Sequence, residues 1–234
     1  MTKPVIILDI EGTTTPVAFV TDILFPYAVQ HAPAYLRREE ADSASIDLLW
    51  EEFQQEAILK TQWESRDDRK GLIAYVEALI RADVKSVGLK RLQGILWEAG
   101  YRDGTIKGDI YPDVPPALDR WNKAGYRVVI YSSGSVQAQK LLFGHTAYGD
   151  LTPYLYAHFD ATIGGKKEAE SYRKIAAALS VSPEHCIFFT DALAEADAAH
   201  EAGMQTRFMV RPGNPAMDQG SHLKLTTFDS VNFS

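Results

Sequence analysis

A single cysteine, Cys186, is all the thiol chemistry that the 234-residue chain offers, which excludes an intrachain disulfide and a zinc site built on paired thiolates. Positive charge is sparse and scattered: 24 Lys and Arg stand against 31 Asp and Glu, for a net charge of −7. No basic cluster exceeds the pairs Arg37-Arg38 and Lys166-Lys167, so neither nucleic acid nor an anionic membrane is an expected partner. No apolar run approaches the ~20 residues of a membrane helix. The start, Met-Thr-Lys-Pro, passes at once into Val5 to Leu8 without the apolar region or small-residue cleavage site of a signal peptide. The expectation is a cytoplasmic protein. G-x-x-x-x-G-K-[ST] and G-x-G-x-x-G are missing, which argues against nucleoside triphosphate and dinucleotide cofactors. The six histidines lack H-E-x-x-H or similar spacing, so zinc is not implied; His145 alone lies near the residues discussed below.

What is present reads as a soluble α/β enzyme. An apolar fraction of 46% and a charged fraction of 24% are those of an ordinary globular protein, and the length suits one core carrying a smaller insertion. Short β-branched or aromatic runs at Val5 to Leu8, Val128 to Tyr131, Phe159 to Ile163, Ile187 to Phe189 and Arg207 to Val210 predict buried parallel strands. Helical segments with clear punctuation separate the later runs: Asp113 as N-cap before Val114-Pro115, Gly125 after Lys123-Ala124, Ser182-Pro183 opening a turn, and Gly203 closing Glu195 to Ala202. Alternating strand and helix predicts a doubly wound sheet.

Residues 15–110 break that rhythm. Ile46, Leu49, Trp50 and Phe53 recur at helical spacing, as do Leu72, Tyr75, Val76, Leu79 and Ile80, and Leu89, Leu92, Ile95 and Leu96. These stripes predict a helical cap over 15–110, inserted after the first strand of a core made of 1–14 and 111–234. The last dozen residues, poor in periodic apolar positions, read as a loose tail.

The chemistry gathers at strand ends, where open α/β sheets bind ligands. Asp9-Ile10-Glu11-Gly12-Thr13 follows the first strand, and two acids there call for a cation; Mg2+ is the usual one when a phosphate completes its shell. An isolated Asp in that place would more simply cap the next helix. The second strand ends in Ser132-Ser133-Gly134-Ser135, whose hydroxyls and backbone N–H groups suit phosphate oxygens. The third leads through Gly164-Gly165 to Lys166, an ammonium that can neutralise a phosphoryl oxygen or the carboxylate nucleophile. The fourth ends at Asp191, suited to be the second metal carboxylate, with Glu195 one helical turn on.

Asp9, Ser132, Lys166 and Asp191, in this order at four strand ends, resemble the four motifs of the haloacid dehalogenase superfamily. The resemblance implies a sheet order of 3-2-1-4-5, an aspartyl-phosphate formed on Asp9, and one Mg2+ held by Asp9, the carbonyl of Glu11 and Asp191. One departure stands out: superfamily phosphatases usually carry Asp as general acid and base two residues after the nucleophile, and this chain has Glu11. Asp9 to Pro16, Phe19, Asp22, Leu24 to Tyr27, Tyr131 to His145, Glu170 to Ala176 and Val210 to Asn214 are similar to the enolase-phosphatase (acireductone synthase) family of methionine salvage. That likeness implies a monomer that enolises and then dephosphorylates 2,3-diketo-5-methylthiopentyl 1-phosphate. It carries Asp9, Glu11 and Asp191 to the metal, Ser132, Ser133 and Lys166 to the substrate, and catalysis to Asp9, Glu11 and Lys166. Glu195 is expected behind them, orienting the metal's waters or Lys166. The enolisation base stays open between Glu11 and a residue of the cap, which must close to exclude water.

Three other readings share this core. A generic sugar-phosphate or phosphoglycolate-type phosphatase would treat Glu11 as a tolerated change, but it leaves the longer family strings unexplained. A 2-haloacid dehalogenase would attack carbon without metal, and the Asp191 and Lys166 positions fit phosphoryl transfer better. A silent phospholigand-binding protein would have no need of a complete nucleophile, metal and phosphate set.

Overall fold

The computed structural model describes residues 3–55, 62–84, 86–214 and 220–231. The chain forms two compact units, one of Met1–Val20 with Lys107–Ser234 and one of Thr21–Ile106. No helix among the described residues is long and apolar enough to cross a membrane.

The second unit is helical: α1 (Phe25–Leu36), α2 (Ser43–Gln55), α3 (Arg69–Arg81) and α4 (Val87–Arg102). The predicted stripes form its core. Ile46, Leu49, Leu72, Tyr75, Val76, Leu79, Ile80, Leu89, Leu92 and Leu96 are buried together, and Trp50 and Phe53 pack against them; Ile95 is half-buried. Capping sets the helix starts. The Asp68 carboxylate accepts from the N–H groups of Lys70 and Gly71, each at 3.1 Å, and Ser86 Oγ accepts from Leu89 N–H at 2.9 Å. Glu52, on α2, adds bonds to the first N–H groups of α4, at 2.8 Å to Val87 and 3.3 Å to Gly88. That contact brings an anion to the positive end of the helix dipole.

The first unit holds one parallel sheet in the order β3-β2-β1-β4-β5-β6. Its strands are β1 (Val5–Leu8), β2 (Arg127–Tyr131), β3 (Ala157–Phe159), β4 (Cys186–Thr190), β5 (Gln205–Met209) and β6 (Leu223–Leu225), and its helices are α5 (Val114–Lys123), α6 (Val136–Gly144), α7 (Ala169–Ala178) and α8 (Leu193–Glu201). β1 lies at the centre, with Leu8 in register with Ile130 on one side and Phe189 on the other. Alternation along the strands divides the core. Val5, Ile7, Val129, Tyr131, Cys186 and Phe188 pack with Tyr172, Ile175 and Ala198, from α7 and α8. The next residue along β4, Phe189, meets Trp121 of α5 and Phe228 on the other face, at ring separations of 6.2 and 5.4 Å.

The five strands foreseen in sequence occupy the expected 3-2-1-4-5 order, and three local expectations change. The third strand ends at Phe159 and does not reach Ile163. Asp160 turns the chain there, its carboxylate accepting from Thr162 N–H and Oγ1 and, on its other oxygen, from Val136 N–H at 3.2 Å. Asp113 precedes α5 but makes no side-chain capping bond. Such a bond needs the N–H of the second or third helical residue, and these are Pro115 and Pro116. Its carboxylate instead accepts from Arg211 Nη1 at 2.7 Å, Phe228 N–H at 2.7 Å and Thr227 Oγ1 at 3.0 Å. The expected loose tail is a strap: β6 pairs with β5, Phe228 is wholly buried, and Val231 is 7% exposed. Residues 232–234 of that tail lie outside the described ones.

Candidate active site

The turn after β1 is drawn around one carbonyl. Ile10 O accepts from the N–H groups of Thr13, Thr14 and Thr15 at 3.1, 2.9 and 2.9 Å, and Gly12 N–H returns to Thr15 O at 2.8 Å. Gly12 sits at φ +71°, a conformation that costs glycine little. A Cβ there would stand 1.8 Å from Asp191 Oδ2. The turn therefore brings the main chain against the acid at the end of β4.

Asp9 is 4% exposed. Its Oδ1 accepts from Ile10 N–H at 2.7 Å and from Lys166 Nζ at 2.5 Å, while Oδ2 has a 3.4 Å contact with Thr190 Oγ1. Lys166 also meets Glu195 Oε2 at 2.6 Å, and Thr190 Oγ1 donates to that same oxygen at 2.8 Å. The lysine is placed by its own backbone. Tyr172 Oη donates to Lys166 O at 2.6 Å and Tyr131 Oη to Gly164 O at 2.9 Å. Gly164 has φ +144°, and a Cβ on it would lie 2.1 Å from Ser171 Oγ. Lys167, by contrast, is exposed.

Ser132 is 4% exposed. Its N–H bonds to Phe159 O at 3.2 Å and its Oγ accepts from Gly134 N–H at 3.2 Å, so the serine loop curls over its first hydroxyl. Ser135 caps α6 through Ala138 N–H at 3.2 Å. From α6, the buried Gln139 donates to Gly134 O and Phe159 O at 2.9 and 2.8 Å. Ser133 and Glu11 are both exposed.

Three carboxylates, Asp9, Asp191 and Glu195, thus stand against one ammonium, Lys166, among the described contacts. Burial pushes the Asp191 carboxyl up to about 7, with the charges of Asp9 and Glu11 adding to that rise and Lys166 opposing it. Burial followed by Asp9 also raises Glu195, against the pull of Lys166 and Thr190. Burial alone would lower Lys166, but the carboxylates of Asp9 and Glu195 outweigh it and hold the amine above its ordinary value. A surplus of buried negative charge on oxygen donors fits a hard divalent cation. Among the described residues no three His, Cys, Asp or Glu side chains converge as a cage. Mg2+ commonly keeps several waters and is held by one or two carboxylates plus substrate phosphate, so such a cage is not required.

Of the residues singled out in sequence, Asp9, Lys166 and Glu195 are in direct contact. Asp191 lies beside Gly12, Ser132 and Ser133 form the neighbouring loop, and Glu11 sits on the turn itself. His145 lies at the end of α6, with Nδ1 3.0 Å from Leu141 O, and lines an open groove of about 750 Å³ with Lys140 and His158. Sequence reasoning assigned no role to Thr190, Tyr172, Gln139, Arg211 or Asn214. Arg211 Nε donates to Thr13 O at 2.9 Å, and Asn214 Nδ2 to Gly12 O at 3.1 Å. The Pro-Gly turn between Arg211 and Asn214 was the available signal.

A family model for haloacid dehalogenase-like hydrolases matches residues 3–203. The chain is 46% identical over 229 residues to Enolase-phosphatase E1 of Synechococcus elongatus, covering 97% of this chain and 96% of that protein. It is 42% identical over 233 residues to Enolase-phosphatase E1 of Pseudomonas fluorescens, covering 99% and 98%. In structure it is similar to the UTR4 protein (unknown transcript 4 protein) of Saccharomyces cerevisiae, with a TM-score of 0.81 at 33% identity, covering 98% of this chain and 100% of that one.

Proposed function

Because the chain belongs to the enolase-phosphatase E1 family of haloacid dehalogenase-like hydrolases, we propose that Asp9, Glu11, Ser132, Ser133, Lys166 and Asp191 carry its reaction. The protein is an enolase-phosphatase of methionine salvage. Its substrate on this reading is 2,3-diketo-5-methylthiopentyl 1-phosphate, and we read it as a cytoplasmic monomer.

The first step removes a proton from C1 to the base; the C1–H electron pair becomes the C1–C2 double bond and the C2 carbonyl oxygen becomes an enolate oxygen, which takes a proton from solvent to give the enol. Glu11 is exposed on the turn and is one candidate for the base; a residue of the helical unit is the other. In the second step a carboxylate oxygen of Asp9 attacks phosphorus and the bond from phosphorus to the C1 oxygen breaks. That oxygen leaves as an enol, a better leaving group than an alcohol, and takes its proton from Glu11. Water, losing a proton to Glu11, then attacks the aspartyl-phosphate, which releases phosphate and restores Asp9.

The observation that carries this reading is the pair of bonds on Asp9 Oδ1. Ile10 N–H and Lys166 Nζ fix the carboxylate's rotation before any substrate binds, so the attacking group needs no reorganisation. Ser132, Ser133 and the N–H groups of their loop would hold phosphate oxygens, with Lys166 balancing their charge. Asp9, Asp191 and the Glu11 carbonyl would hold Mg2+. When bound, Mg2+ supplies carbonyl polarisation for enolisation and charge neutralisation at the phosphoryl group.

The test is anaerobic phosphorus NMR of the diketo ester with protein and Mg2+. A transient enol phosphate followed by inorganic phosphate is expected, and Asp9→Asn should abolish phosphate release. An unchanged ester, with brisk hydrolysis of some other phosphate monoester, would refute the substrate assignment.

A further inference from the structure

The turn that follows β5 reaches back to Asp191. Asn214 Nδ2 donates to Gly12 O at 3.1 Å and stands 3.4 Å from Asp191 Oδ2, while Tyr111 Oη lies 3.4 Å from Asn214 Oδ1. These neighbours fix the orientation of the amide. A main-chain carbonyl and a carboxylate can only accept, so the –NH2 group must face them, and its two hydrogens match the two acceptors. The amide oxygen then faces a neighbour with a hydrogen to give, the Tyr111 hydroxyl. The space is already closed from the other side, since a Cβ on Gly12 would come within 2.7 Å of Asn214 Nδ2 and 1.8 Å of Asp191 Oδ2.

We infer that Asn214, oriented by Tyr111, is the positioning residue that clamps the Asp191 carboxylate to the Gly12 turn and thereby sets the affinity for Mg2+. The inference rests on the metal reading given above. The amide acts on one oxygen of Asp191 and on the carbonyl next to that of Glu11, so it governs both the carboxylate and the main-chain side of the expected shell. Its partners hold the amide itself: Arg211, three residues earlier, is bonded to Thr13 O and Asp113, and Tyr111 N–H is bonded to Thr14 O at 3.0 Å. Groups that orient metal ligands are typically worth ~10–100-fold in metal affinity.

The experiment measures Mg2+ binding by calorimetry to the intact protein without substrate, together with melting temperature in the absence of Mg2+. Asn214→Ala should raise the Mg2+ dissociation constant by roughly 10-fold or more. Tyr111→Phe should raise it less, because the amide stays but loses its orienting donor. Asn214→Leu keeps the bulk and removes both donors without adding charge, so it should bind Mg2+ no better than the alanine variant. Wild-type Mg2+ affinity in either Asn214 variant, with only the melting temperature lowered, overturns the positioning role. If Asp191→Asn abolishes binding in the same series, the metal assignment stands while the clamp falls; a wild-type protein that binds no Mg2+ overturns both.

Discussion

Replacing Asp113 by alanine should destabilise the α/β unit by about 3–5 kcal/mol, the range for removing one partner of a buried ion pair. The magnitude follows from its surroundings. The Asp113 side chain is 9% exposed and that of Arg211 2%, so the pair is largely withdrawn from water. One Asp113 oxygen serves Arg211, the Phe228 N–H and Thr227 Oγ1, and its loss leaves a guanidinium and a main-chain N–H without that acceptor. Arg211 is enclosed further by the Tyr111 and Phe228 rings, each 4.6 Å from its guanidinium carbon. At about 2–4 °C per kcal/mol for a unit of this size, the melting temperature should fall by roughly 6–20 °C. Circular dichroism during thermal and urea unfolding measures it. The double variant Asp113→Ala/Arg211→Met keeps neither charge of the pair and should cost less than the two single changes together, by about 1–3 kcal/mol. A single-variant loss below about 1 kcal/mol, or strict additivity, would mean that the pair is screened and that the strap is held by Phe228 packing alone.

Two further outcomes follow from geometry already given. Gly164→Ala would need Ser171 and the Lys166 loop to shift; it should cost about 1–3 kcal/mol and lower turnover of the diketo ester in step, as read by unfolding and phosphate release. His158, whose Nδ1 lies 3.1 Å from Gln139 Oε1, is pushed down to about 4 by burial and then by Lys140. The unfolded chain takes up that proton near pH 6.5 and the folded one only near pH 4, so stability falls as pH drops through that interval. His158→Gln should remove this slope, about 1–2 kcal/mol after discounting for partial exposure; an unchanged slope in urea titrations from pH 7 to 4 would refute it.

The strand ends of the candidate site were legible because each combines two local signals, a short apolar run and a polar residue at its end. The stripes of the helical unit were legible for the same reason, since periodicity is local. What stayed hidden depends on partners far along the chain. Asp113 had the composition of a cap, and only Pro115 and Pro116 betrayed that it must bond elsewhere. The tail carries a three-residue strand with no alternation long enough to read, and its order comes from pairing with β5 and from Asp113. Asn214 acts on a main-chain carbonyl, an acceptor that every residue has, so nothing in residue type marks its target. The third strand was overextended because Ile163 looks β-like, whereas the turn is dictated by Asp160.

The bond from Arg211 to Thr13 joins positions 198 residues apart. On a ribosome adding about 5–20 residues per second, the turn after Asp9 emerges roughly 10–40 s before the side chain that secures it. Through that interval the nascent chain carries Asp9 without the Arg211 bond, Lys166 emerging before Arg211 and β6 after it. A stalled chain ending before Arg211 would hold that acidic turn without its guanidinium bond.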